Sequence, residues 1–372
     1  MGDEDALPRE RTRRVGLAVA FCFACGGQLV PAPPDAGDAA ADVSLTIDAA
    51  CGSAAYTPVT VGLNTPLGIA LDSTYAYVTD RGASTTAPSR VLRFPKTGGD
   101  FAILAPDEPS AWSIAVRNDA LYWTLGGTPQ NEFADGSLRR LLLGVDVGSP
   151  VTFEGPAALP TAVALDDGAV YWAEMGVGPG FNGGSVRAMP IDGGSPATLA
   201  DGGLTWSPGY LALEDGFIYW TAESHDHPGG FVARIPLAGG PMETIATTGD
   251  IPTSIAVDSS AVYWVEWGAQ HDTATIRTAG HSGENPRTLW SGKGMIPLAL
   301  AVGACALYWT EAFDSDGLGD VKAMPLAGGN TTTLDPNAYN PFAIAVDDTF
   351  VYWTTSSPPN APGTGSIKRV AK

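Results

Sequence analysis

Residues Thr161–Glu174 read TAVALDDGAVYWAE. An apolar run ends on two aspartates and a glycine. A second apolar run follows and closes on a Tyr-Trp pair and an acid. Asp-Asp-Gly supplies the residue types that a tight hairpin needs, so the stretch is expected to form two short antiparallel strands. A Tyr-Trp pair ahead of a carboxylate also suits a stacking platform at the lip of a pocket. The number of copies decides between the two readings.

The stretch occurs seven times, as LGIALDSTYAYVTD, WSIAVRNDALYWTL, TAVALDDGAVYWAE, GYLALEDGFIYWTA, TSIAVDSSAVYWVE, LALAVGACALYWTE and FAIAVDDTFVYWTT. Its tyrosine falls at 77, 122, 171, 219, 263, 308 and 352. A proline stands eleven residues earlier in six copies: Pro66, Pro160, Pro208, Pro252, Pro297 and Pro341. Each copy is followed by a second unit such as GSVRAMPIDGGSPATL or GFVARIPLAGGPMETI, which reads as a strand, a Pro-x-x-Gly-Gly turn and a Thr-rich strand. Four strands, a to d, in a repeat of about 40–50 residues predict a β-propeller blade. The last copy stops after strand c near Val370, while AYTPVTVG (Ala55–Gly62) precedes the first copy and supplies the missing strand d. The expected fold is therefore all-β, a seven-bladed propeller of four-stranded blades. A strand at about 55–62 completes the last blade, and closure removes the sheet edges that invite aggregation.

A blade lies between two neighbours, so its strands are apolar on both faces. Successive side chains alternate. Val170 and Trp172 are expected to pack against one neighbour and Tyr171 against the other. Seven copies of one pair cannot all serve one ligand, so the pair is read as packing.

The runs YVTD, YWTL, YWAE, YWTA, YWVE, YWTE and YWTT resemble the YWTD repeat of receptor-type propellers. They are also similar to the looser repeats of bacterial propellers of the virginiamycin B lyase group. The resemblance covers about 56–372 and is specific for the fold. Receptor YWTD propellers usually have six blades, whereas seven repeats occur here. Only Tyr77-Val78-Thr79-Asp80 keeps the final aspartate. The lyase resemblance implies histidine acid–base chemistry with a divalent ion on the propeller face, without a motif that matches residue by residue.

The totals agree with a turn-rich all-β chain: 372 residues with 46 Gly, 30 Pro, 10 Trp and only 16% charged residues. The net charge of −20 argues against nucleic acid, whose phosphates are bound through Lys and Arg. It also argues against a basic membrane-binding surface. At the N-terminus, the basic RERTRR (Arg9–Arg14) is followed by VGLAVAFCFA and Cys25-Gly26-Gly27. This is the pattern of an export signal with a lipobox-like end. Residues 1–25 are expected to be the signal, with Cys25 as the lipidated residue. Residues 26–54, rich in Ala, Asp, Pro and Gly, are expected to be a disordered tether, and 55–372 the propeller. Any membrane contact is then through the lipid. The remaining cysteines, Cys51 and Cys305, are candidates for a disulfide that pins the tether to the ring.

The b–c and d–a connections of a propeller share one face, and the a–b and c–d turns share the other. Three adjacent b–c loops carry most of the potential ligands. They are Glu223-Ser-His225-Asp226-His227-Pro228, Glu266-Trp-Gly-Ala-Gln-His271-Asp272 and Glu311-Ala-Phe-Asp314-Ser-Asp316-Gly317. His225, His227 and His271 with Asp272 suit Zn²⁺ or a similar ion. Asp314 and Asp316 suit Ca²⁺. No cofactor beyond such a divalent ion is implied. Solvated polar loops of an acidic protein account for the same residues. Glu174, Glu266 and Glu311, which end strand b, are alternatively hydrogen-bonding groups between blades, and His281 reads as an exposed, inert turn residue. The leading expectation is a monomeric, exported, lipid-anchored scaffold at the cell envelope that takes a protein or small-molecule ligand on this face. The alternative is a metal-dependent lyase or hydrolase working there.

Overall fold

The computed structural model describes residues 56–82, 89–144, 148–178, 181, 183–268, 273–313 and 317–372. They belong to one compact unit, Thr46–Lys372. Seven four-stranded antiparallel sheets form, each with its strands in the order a-b-c-d. In blade 3 the strands are Pro160–Leu165, Ala169–Glu174, Gly184–Pro190 and Ala197–Gly203. The inner strand of each blade packs against the inner strands of both neighbours, which closes the ring. The closing strand is Thr57–Leu63, paired with Gly365–Ala371, so blade 7 joins the two ends of the propeller. Its bounds differ from those read in the sequence by one or two residues.

The repeat motif explains itself residue by residue. Asp166 follows strand a, and one of its oxygens accepts the N–H groups of Gly168 and Ala169, at 2.7 Å each, which shapes the hairpin. The other oxygen accepts the Tyr171 hydroxyl at 2.8 Å. Asp72 with Tyr77 and Asp258 with Tyr263 repeat both halves of the arrangement. Burial, and then the Asp166 carboxylate, push the Tyr171 phenol above its ordinary range.

The tyrosine faces the following blade and the tryptophan faces the preceding one. Tyr122 shares a core with Val170 and Trp172, Tyr171 with Trp220, Tyr219 with Trp264, Tyr263 with Trp309, and Tyr308 with Trp353. All six of the repeat's tryptophans are fully buried, and burying such a side chain is worth roughly 2–3 kcal/mol. The packing role expected of the pair is what the structure shows.

The third letter of the motif clips blades together. Thr79 Oγ1 accepts the N–H of Gly68 at the bulge of its own strand a, at 2.9 Å. It donates to the Trp112 carbonyl of blade 2 at 2.6 Å. Thr354 bonds in the same way to Ala343 N–H and across the ring closure to Pro66 O. Blade 3 has Ala173 at this position, and there Thr161 on strand a supplies the hydroxyl, donating to Gly209 O of blade 4 at 2.9 Å. Replacing Thr79 with valine, which is isosteric, leaves a buried N–H and a carbonyl without this partner. The expected loss is about 1–3 kcal/mol of unfolding free energy. Equilibrium urea denaturation checks it, and an unchanged midpoint would sink the clip reading.

Candidate functional site

A second repeated unit accounts for most of the buried acids. The indole N–H of Trp172 donates to Glu174 at 2.7 Å, and the Arg187 guanidinium from strand c donates to the same carboxylate at 3.0 Å. Trp264, Glu266 and Arg277 repeat this, as do Trp309, Glu311 and Lys322. These acids therefore bond mainly within their own blade, where bonds between blades had been the alternative expectation. In two blades the acid instead comes from the preceding blade. Glu108 accepts from Trp123 and Arg139, and Asp335 accepts from Trp353 and Lys368.

Blade 4 departs from the pattern. Ala222 and Ala233 stand where the acid and the cation belong. Trp206, at the start of strand a, fills the space, with its ring centroid 6.1 Å from that of Trp220 and 5.6 Å from that of Phe231. The Trp220 indole nitrogen has no hydrogen-bond partner among the described residues. Strand a runs Trp206–Glu214 and strand b Phe217–Ser224. Their outer ends carry the chemistry of this corner.

His225, just past strand b, is half-buried and folded back onto the start of strand a. Its Nε2 lies 2.8 Å from Ser207 Oγ, and its Nδ1 lies 3.2 Å from the Leu204 carbonyl. Ser207 Oγ is also 3.0 Å from the Phe181 carbonyl in the b–c loop of blade 3. His227 is exposed and takes a different partner, with Nδ1 3.1 Å from the Pro228 carbonyl. His271, Asp272, Asp314 and Asp316 lie outside the described residues, as do Cys25 and Cys51. Among the described residues no group of three or more His, Cys, Asp or Glu side chains is gathered for a metal ion. Cys305 is disulfide-bonded.

Glu223, one residue before the end of strand b, stands opposite Ser207. Burial raises its carboxyl above the usual range, with no cation set against it among the described residues. The sign follows from linkage. A carboxyl whose folded pKa is raised penalises the folded state when ionised. That penalty is present above the folded pKa and disappears as the pH falls below the unfolded value. Glu223→Gln is therefore expected to raise the melting temperature at pH 7 and to have no effect near pH 3. Melting curves at the two pH values test this, and a variant that melts lower at pH 7 would reverse the assignment.

His281 differs from its expectation as an exposed, inert turn residue. It is partly buried, its Nε2 donates to the Asp258 carbonyl at 2.8 Å, and its ring lies 5.6 Å from that of Tyr219 in the neighbouring blade.

No family model matches the chain, and no curated protein matches it in sequence. Solved structures do resemble it. A puromycin-hydrolysing peptidase from Mycobacterium tuberculosis is similar at 15% identity and TM-score 0.58, over 85% of this chain and 54% of that one. An oligogalacturonate lyase in complex with manganese is similar at 12% identity and TM-score 0.56, over 84% of this chain and 98% of that one. The PQQ-bound aldose sugar dehydrogenase of Streptomyces coelicolor is similar at 14% identity and TM-score 0.51, over 84% and 96%. A chain of a nidogen/laminin complex aligns at 24% identity over 59% of this chain and 82% of that one, with a TM-score of 0.46. At these identities the likeness shows the propeller fold alone. One fold carries unrelated activities across these proteins, so function has to be argued from the site.

Ser207, Phe181 and Trp206 escaped the sequence reading, which quoted Glu223 only as the first residue of its loop. One signal was present: blade 4 alone lacks both the acid and the cation of the repeat, and it carries an extra tryptophan two residues before its proline.

Proposed function

We propose that this chain is an exported, lipid-anchored binding propeller of the cell envelope, which takes its ligand on the face of the b–c and d–a loops around blade 4. One contrast between the two faces carries the reading. On the a–b face, repeated aspartate turns hold the hairpins in one form. The opposite face gathers the variation, and there Leu204, 69% exposed, is the most exposed large apolar side chain among the described residues. Its carbonyl meets His225, and the next two residues, Asp226 and His227, are exposed. Variable loops on a rigid scaffold are where binding usually resides.

The test is photo-crosslinking in the native host, with a photoreactive residue at position 204, 227 or 242. Met242 is also exposed but lies in the c–d turn, on the other face. Adducts at 204 and 227 and none at 242 are expected. Adducts at 242 alone, or at no position, would refute the assignment of the face.

Export and anchoring rest on the signal-like segment ending at Cys25. Intact-mass analysis of the mature protein, with and without lipase treatment, tests them. Cys51 is the proposed partner of Cys305. A disulfide-linked peptide pair containing both, found in the non-reduced digest, is expected, and free Cys51 would rule the pairing out.

A further inference from the structure

We propose that Ser207 and His225 form a nucleophile–base pair able to accept an acyl group from a small ester. The inference goes beyond the binding reading and does not depend on it. The hydrogen positions carry it. The Leu204 carbonyl can only accept, so the contact at Nδ1 places a hydrogen on that nitrogen. In a neutral ring Nε2 then has no hydrogen. With the ring neutral, the 2.8 Å contact is then the serine hydroxyl donating to Nε2, and the Phe181 carbonyl is the hydroxyl's other acceptor. This is the proton arrangement that activates a serine: nucleophile on base, and base oriented by a third group. Here a backbone carbonyl does the orienting.

The pair belongs to this blade alone. Blades 3, 5 and 6 place Leu159, Ile251 and Ile296 at the position of Ser207, and blades 1, 2 and 7 place Thr65, Ser110 and Asn340, but only blade 4 has a histidine six residues after the motif tyrosine. The Phe181 carbonyl, 3.0 Å from Ser207 Oγ, competes for the same hydroxyl hydrogen. Ser207 is 4% exposed and lies beside the half-buried His225, whose Nδ1 meets the carbonyl of the exposed Leu204.

The step balances without a further reagent. Ser207 Oγ attacks the carbonyl carbon, its proton passes to His225 Nε2, and the Oγ–C bond forms. The tetrahedral oxyanion then expels the alcohol, which takes the proton from Nε2. Water repeats the sequence on the acyl-serine and releases the acid.

The experiment uses the full chain and a small alkyl fluorophosphonate, whose P–F bond breaks as an Oγ–P bond forms. Mass spectrometry of the digest reads the site, and the time course reads the rate. Phosphonylation of Ser207, slowed about 10²-fold in His225→Ala and restored by added imidazole, is the expected result. Imidazole rescue separates a base from a ring that only holds the loop. An unmodified Ser207 in the native chain overturns the proposal. Labelling at the native rate in His225→Ala, or slowed labelling that imidazole does not restore, overturns it equally.

Discussion

Asp80→Ala is expected to lower the unfolding free energy by about 3–5 kcal/mol, the range for removing one partner of a buried ion pair. Asp80 is completely buried. It accepts the backbone N–H groups of Asn64 at 3.1 Å and Thr65 at 2.8 Å, and the Arg90 guanidinium at 3.0 and 3.2 Å. Asn64 and Thr65 are the joint between the closing strand, Thr57–Leu63, and the first inner strand, Pro66–Leu71. The C-terminal blade grips the same joint, because Ser357 N–H donates to Asn64 O at 2.7 Å and Ser357 Oγ to Leu63 O at 2.7 Å. Alanine would therefore orphan two amides and leave the Arg90 guanidinium with the Gly62 carbonyl but without its counter-charge at the seam of the ring. Asp80→Asn keeps the shape and loses the charge, and should fall between the wild type and the alanine variant. Asp167→Ala removes the exposed pair with Arg117 and should leave the midpoint in place. Urea denaturation of the three variants decides the matter. An Asp80→Ala midpoint no lower than that of Asp167→Ala would mean that the seam is held by something else. The one copy of the repeat that keeps the receptor-type aspartate is thus the copy at the closure.

Glu311→Ala is expected to cost a similar amount, about 3–5 kcal/mol. Glu311 is fully buried, accepts the Trp309 indole N–H at 2.9 Å and forms an ion pair with Lys322. Its removal leaves an ammonium only 11% exposed, whose nearest remaining carboxylate among the described residues, that of Asp320, is 3.6 Å away. Blade 4 shows the apolar alternative: Ala222 and Ala233 at these positions, with Trp206 filling the space. Met295 occupies the position of Trp206 in blade 6, two residues before the proline. The triple variant Glu311→Ala, Lys322→Ala, Met295→Trp transfers that arrangement. It should melt well above Glu311→Ala, because replacing a buried ion pair by packed apolar groups is often close to neutral. A triple variant no more stable than the single one would show that the two blades do not share a packing scheme.

These expectations trace back to features of unequal legibility. Tyr171 and Trp172 face opposite neighbours because adjacent strand residues alternate, and alternation is visible in the sequence. Glu174, Glu266 and Glu311 were visible at a fixed step after tryptophan, and only their partners were not. Glu108 and Asp335 were invisible in the repeat register, because each serves a tryptophan of the next blade from outside its own motif. His281 misled for a related reason. Its turn looks exposed within blade 5, while its ring rests against Tyr219 of blade 4.

The sequence by itself determined the number of blades, the strands within each and the closing strand. All of these depend on local periodicity, on burial of both sheet faces and on turn chemistry, which recur at a readable interval. Only the tertiary structure decided that Asp80 guards the seam and that Ser207 meets His225. Ser207 lies at the start of one strand and His225 just past the end of the next, 18 residues on. They touch because the antiparallel hairpin brings those two ends to the same face, where side-chain rotamers and loop paths choose the partners. No repeat fixes that choice, because blade 4 is where the repeat is broken.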